Sequence, residues 1–168
     1  MGIELFIKRE DLIHPLVSGN KWRKLKYNLL EAKQRDKNSI LTFGGAYSNH
    51  IYALAAAGKL LNFKTIGIIR GELTLPLNPT LEYAAACGMQ LHYVDRNHYR
   101  EKETEDFLED LQKVHGEFYY LPDGGTNELG MKGCAEIIDE IDMDFDYIAC
   151  ACGSGGTLAG LITGLQGR

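Results

Sequence analysis

Three short stretches carry side chains able to do chemistry. In the first, Val17-Ser18-Gly19-Asn20-Lys21-Trp22-Arg23-Lys24-Leu25, Lys21 follows a Ser-Gly-Asn turn and opens a run with helical apolar spacing at Trp22, Leu25 and Leu29. A lysine at a loop-to-helix junction is held from behind and free in front, which suits an amine that must reach an aldehyde and form an imine with it. The cations at Arg23, Lys24 and Lys26 favour the neutral, nucleophilic amine by lowering its pKa. Taken alone, the same stretch also reads as a basic amphipathic helix on the surface.

The second stretch, Gly153-Ser154-Gly155-Gly156-Thr157, joins a predicted strand to a predicted helix. Glycines let the backbone approach an anion, and the free amides of a first helical turn point toward it. Leu158 stands where a dinucleotide fingerprint needs Gly or Ala, and the Gly-Lys-Ser/Thr ending of a triphosphate loop is missing. One small phosphate fits better than a pyrophosphate. A tight strand-to-helix turn that needs glycine for geometry alone is the alternative.

The third stretch is Gly44-Gly45-Ala46-Tyr47-Ser48-Asn49-His50, a turn with a helix cap expected at Ser48. A helix N-terminus there suits a carboxylate, and the Asn49 amide could bond a phenolic oxygen. A plain cap accounts for the same residues. His50 reads as structural, or as supporting the residues that touch a ligand. His14, His92, His98 and His115 show no partner.

These stretches need elements to hold them. Apolar runs predict strands over 3–8, 39–43, 65–69, 89–94, 118–121 and 146–152, separated by helical patterns. Asn78-Pro79 is a helix start, and Gly88 is placed to end that helix. Such alternation predicts an α/β fold, a parallel sheet with helices on both faces and ligands at the carboxyl ends of its strands. The sheet is expected to continue past Arg168, so the chain reads as part of a larger protein.

Composition narrows the function classes. With 168 residues and 45% hydrophobic content, the chain can bury a core. A net charge of −5 argues against a general nucleic-acid partner. No apolar run is long enough to span a membrane, and no secretory pattern opens the chain, so a cytoplasmic location is expected. Cys87, Cys134, Cys150 and Cys152 form no C-x-x-C pair, and no metal site is expected. Cys150 and Cys152 would share one face of the last strand.

Taken together, Gly19-Asn20-Lys21-x-Arg23-Lys24-Leu25, Gly44-Gly45-x-x-Ser48-Asn49-His50 and Gly153-Ser154-Gly155-Gly156-Thr157-Leu158-Ala159-Gly160 resemble the fold type II, tryptophan-synthase-β-like pyridoxal-phosphate enzymes. Within them the chain is most similar to the 1-aminocyclopropane-1-carboxylate deaminase and D-cysteine desulfhydrase family, over its N-terminal part only. Lys8-Arg9-Glu10-Asp11-Leu12 and Pro122-Asp123-Gly124-Gly125-Thr126-Asn127-x-x-Gly130 support the likeness.

The resemblance implies pyridoxal 5'-phosphate as cofactor and Lys21 as the Schiff-base lysine that also shuttles the substrate's α-proton. Lys24 is its nearest competitor. Asn49 would hold the phenolic oxygen, Ser48 would hold the substrate carboxylate or act near its reacting carbon with Asn49 and His50 also on the substrate side, and Gly153, Ser154, Gly155, Gly156 and Thr157 would cup the phosphate. Residues 1–34 and 121–168 would belong to an incomplete large domain and 35–120 to a small, mobile one, in a protein that is a homodimer when complete. The implied substrate is a small amino acid, with the Ser48-Asn49-His50 ending leaning toward desulfhydrase-like activity. Tyr47 departs from the Gln often found there, and the partner of the pyridine nitrogen would lie beyond Arg168. A truncated, non-catalytic phosphate-ligand binding protein is the reading from a different class.

Overall fold

Ser39–Gly45 and Lys64–Arg70 read as largely apolar runs because both are central strands, each buried over its five inner residues. The computed structural model describes residues 2–167. In it, β1 (Ser39–Gly45), β2 (Lys64–Arg70), β3 (Gln90–Val94) and β4 (Tyr119–Leu121) form one parallel sheet in the order β3-β2-β1-β4. Register sets Ile40 against both Thr65 and Tyr119, and Ile68 against His92.

Alternate residues of these strands face opposite layers. Ile40, Ile69, Tyr119 and Leu121 join a core with α1 (Asn20–Gln34), α2 (Asn49–Leu61) and α3 (Pro79–Ala86). Leu41, Phe43, Ile66 and Ile68 pack on the other side with Tyr99, Phe118 and Leu111 of α4 (Glu105–His115). The expected α/β architecture, parallel with helices on both faces, is what forms.

Local chemistry starts and stops the helices. The Ser48 hydroxyl accepts from the Ile51 amide, and Asn78 accepts from Thr80 and Leu81 ahead of Pro79. Gly88, at φ +90°, follows α3 as expected. Two further helices, α5 (Glu128–Asp139) and α6 (Gly156–Leu165), share a separate apolar cluster of Cys134, Ile137, Ile138 and Leu161. Glycines let this layer close backbone to backbone. A Cβ on Gly133 would lie 1.9 Å from the Arg23 carbonyl oxygen, and one on Gly160 would lie 2.3 Å from Cys134 Cβ. α1 and α5 therefore meet main chain to main chain at Gly133, while α5 and α6 close on each other at Gly160 and through the side chains of that cluster.

Two predicted strands are corrected. Residues 3–8 form no strand, with Ile3 95% exposed; alternation gave them an apolar face, yet among the described residues no sheet edge or helix covers it. Residues 146–152 form no strand, and Tyr147 is 94% exposed. A parallel strand needs a neighbour to hydrogen-bond, and none lies beside this segment among the described residues. Cys150 and Cys152 thus share no strand face: Cys150 rests against the α5–α6 cluster and Cys152 is exposed. Among the described residues, no helix is long and apolar enough to cross a membrane.

Candidate active site

Lys21 is the second residue of α1. Gly19 before it has φ +61° and ψ −148°, a backbone that glycine adopts without penalty. The Asn20 amide then donates to Thr157 Oγ1 at 2.8 Å, tying the start of α1 to the first turn of α6. As a result Lys21 lines a polar cavity of about 60 Å³ together with Lys24, Cys152, Gly153, Ser154, Gly155 and Thr157.

Burial pushes the Lys21 amine down to about 8, and the Lys24 charge pushes the same way; Asp123 and Cys134 oppose them. The cations weighed in the sequence therefore matter less than desolvation, and two of them are occupied. Arg23 is buried between Glu10, at 2.9 Å, and Glu140, at 2.6 Å. Lys26 pairs with Glu136 at 2.8 Å.

Lys24 is the exception. It is 2% exposed, with no carboxylate partner among the described residues. Its Nζ donates to Ser154 Oγ at 3.2 Å and to Thr126 Oγ1 at 3.4 Å, and those two hydroxyls lie 2.6 Å apart. Burial lowers its pKa. Sequence reasoning treated Lys24 as a rival of Lys21 and missed it as a partner of the glycine loop. The signal was there: three residues apart on a helix, the two lysines share a face. Thr126 was missed as well. It is placed by a turn anchored at Asn127, whose side chain bonds Asn28 at 2.7 Å, while Tyr119 donates to the same Asn28 oxygen at 2.9 Å.

The glycine loop has the form of an anion cradle. Gly155, at φ +82°, turns the chain into α6, whose first amides have no partner within the helix. A Cβ on Gly153 would meet nothing within 4 Å, so packing does not require glycine there. A Cβ on Gly156 would lie 2.9 Å from Thr126 and 3.0 Å from Lys24 Nζ. Two hydroxyls, a helix N-terminus and a buried ammonium, with no acid among the cavity's lining residues, fit a phosphate dianion.

The third stretch is placed differently. Ser48 and Asn49 are not among the residues lining this cavity; Ser48 caps α2, and Asn49 is exposed. His50 is fully buried. Thr42 donates its only hydroxyl hydrogen to the Leu121 carbonyl at 2.8 Å, so His50 Nε2, 2.9 Å from the Thr42 oxygen, must carry a hydrogen. That leaves Nδ1 bare and without a partner among the described residues. Burial pushes this imidazole down to about 3, with Lys21 and Lys24 adding to the shift. A Cβ on Gly125 would touch both Lys24 Cβ, at 3.1 Å, and His50 Cε1, at 3.2 Å, so His50 backs the lysines from across that glycine. His92 and His115, which showed no partner in the sequence, bond each other at 3.3 Å.

A lysine with a lowered pKa beside an anion cradle, mounted on a parallel α/β scaffold, is an arrangement suited to anchoring a phosphorylated aldehyde. The chain belongs to the family described as Pyridoxal-phosphate dependent enzyme, which matches residues 1–168. It is 36% identical, over 97% of its length and 45% of the relative's, to the bifunctional D-cysteine desulfhydrase/1-aminocyclopropane-1-carboxylate deaminase, mitochondrial, of Arabidopsis thaliana. It is 27% identical to the D-cysteine desulfhydrase of Serratia proteamaculans, over 99% of this chain and 54% of the other. A crystal structure of an ACC deaminase homologue superposes with TM-score 0.80 at 31% identity, covering 94% of this chain and 50% of that one. The chain spans about half the length of the curated relatives it matches.

Proposed function

We propose that the protein acts, in its complete form, as a pyridoxal-phosphate-dependent lyase or deaminase on a small amino acid. Two activities fit: D-cysteine desulfhydrase-like release of pyruvate, sulfide and ammonia, or 1-aminocyclopropane-1-carboxylate deaminase-like release of 2-oxobutanoate and ammonia. The observation that carries this reading is the shared cavity wall of Lys21 and the 153–157 loop, with the Lys21 amine pushed down to about 8. The relatives named for these two activities support it.

Bound there, the cofactor would supply an electron sink for charge developing at the substrate's α-carbon. Lys21 holds the aldehyde end and moves the α-proton. Ser154, Thr157, the first amides of α6 and Lys24 hold the phosphate. We assign the phenolic oxygen to Asn49 and the substrate side to Ser48; His50, which the sequence put there, is buried against Thr42 and supports the lysines from behind Gly125. Residues 35–120 are proposed as a small mobile domain and 1–34 with 121–168 as part of a large one, in a cytoplasmic homodimer. Four free cysteines suit a reducing compartment.

Absorbance tests the cofactor. A visible band that survives dialysis and vanishes in Lys21→Ala is expected, and a wild type without a band sinks the reading. Incubation with D-cysteine and with 1-aminocyclopropane-1-carboxylate, assaying sulfide, pyruvate and 2-oxobutanoate, tests the substrate. No product from either leaves the cofactor assignment standing and removes the substrate class.

A further inference from the structure

Six arginines lie among the described residues, and they sort into two sets. Arg9, Arg23 and Arg35 each hold a carboxylate, Asp11 at 2.6 Å, Glu10 at 2.9 Å and Glu31 at 2.6 Å. Arg70, Arg96 and Arg100 hold none among the described residues, and all three line one cleft of about 450 Å³. Lys102, Tyr99 and Asp123 complete its walls. Arg70 ends β2, Arg96 follows β3 and Asp123 follows β4, so the cleft opens at the carboxyl ends of the sheet, where α/β proteins bind ligands.

The acids nearby do not balance it. Asp123 accepts from the buried Tyr99 hydroxyl at 3.0 Å, and Glu103 stands 3.8 Å from Lys102. The Tyr99 ring has the Arg70 guanidinium 5.7 Å and the Lys102 ammonium 5.3 Å from its centroid. Four cations thus converge on one lining carboxylate in a chain whose net charge is −5. Like charges so gathered repel unless a counter-charge joins them, and guanidinium forks match carboxylate or phosphate oxygens. The volume falls within the range of about 300–1,000 Å³ found for small-ligand sites.

We propose that this cleft is a second anion site, distinct from the Lys21 cavity, which takes a small oxyanion bearing at least two negative charges on phosphate or carboxylate groups. The two sites adjoin, because Asp123 lines this cleft and its charge is felt at Lys21. The proposal does not depend on the catalytic reading.

Isothermal titration tests it at low ionic strength, with pyrophosphate and citrate as probes and the 153–157 loop saturated with pyridoxal phosphate. Saturable binding of pyrophosphate assigns phosphate and of citrate assigns carboxylate, and either supports the site. The double variant Arg96→Gln, Arg100→Gln, both exposed side chains, is expected to bind at least about tenfold more weakly while its melting temperature is unchanged. If the cofactor does not bind, the same titration is run without it, alongside Ser154→Ala, which disables the loop instead. No saturable binding of either probe, or binding undiminished in the double variant, overturns the proposal.

Discussion

One helix turn presents two kinds of cation on different faces. Arg23 lies among carboxylates, which raise its pKa further while it drags Glu140 down to about 2. Lys21 and Lys24, two and one residues away, are met by hydroxyls, glycines and each other, and both pKa values fall. The same burial has opposite consequences because only one side chain was given counter-ions. Arg23 is a structural cation that stays charged. The lysines are held ready for a charge or an aldehyde that the fold does not itself provide.

Breaking the paired side should cost most. Arg23→Leu leaves Glu10 and the more exposed Glu140 with Lys8 as their remaining cation, and a loss of up to about 3 kcal/mol in chemical denaturation is expected. A result within experimental error of wild type would mean that the ion pairs contribute no stability.

The unpaired side should show in acid. Folded His50 takes a proton only near pH 3, whereas an unfolded histidine does so near 6.5. As pH falls, the unfolded chain gains the proton first, so stability is fully present above 6.5 and drains away toward 3. His115, also lowered, adds to this slope, while His98, raised by Asp95, opposes it. Between pH 6.5 and 5, His50→Gln should therefore flatten the wild-type decline by up to about 1.4 kcal/mol per pH unit. Equal slopes would refute a buried neutral imidazole.

A finer effect separates the two lysines. Trapping Lys21 with an uncharged aldehyde and borohydride, read by mass spectrometry, should rise with pH through a midpoint near 8. In Lys24→Met the midpoint should move up yet stay below the ordinary 10.5, since burial is the larger cause. A full return to 10.5 would transfer the whole shift to Lys24. Smallest of all, Arg35→Ala removes a surface pair with Glu31 and should change stability by less than about 0.5 kcal/mol.

The central strands and the Ser48 and Asn78 caps were legible because each has a local signature, a largely apolar run or a cap residue, whereas the meeting of Lys21 with the 153–157 loop came from the family resemblance. What failed needed neighbours. Ile3, Leu5 and Ile7 alternate like a strand, but no partner strand takes them. Lys24 reads as the rival of Lys21, and its spacing puts both on one face, but that spacing does not reveal that Ser154 and Thr126 converge on it from over a hundred residues away. The arginine cleft was invisible for the same reason. Arg70, Arg96 and Arg100 lie on separate segments that only strand order brings together.

The glycines of the α1–α5–α6 stack set a tolerance. Lys21 rides on α1 and the anion cradle on α6; Gly133 brings α5 against the α1 main chain, and Gly160 brings α6 against the Cys134 Cβ and the Met131 carbonyl of α5. The gap between amine and cradle is set at these two glycines together with the Asn20–Thr157 bond and the apolar cluster that α5 and α6 share. Substitution on their outer surfaces is therefore free to drift, while one methyl group at position 133 or 160 would recalibrate the site from a distance.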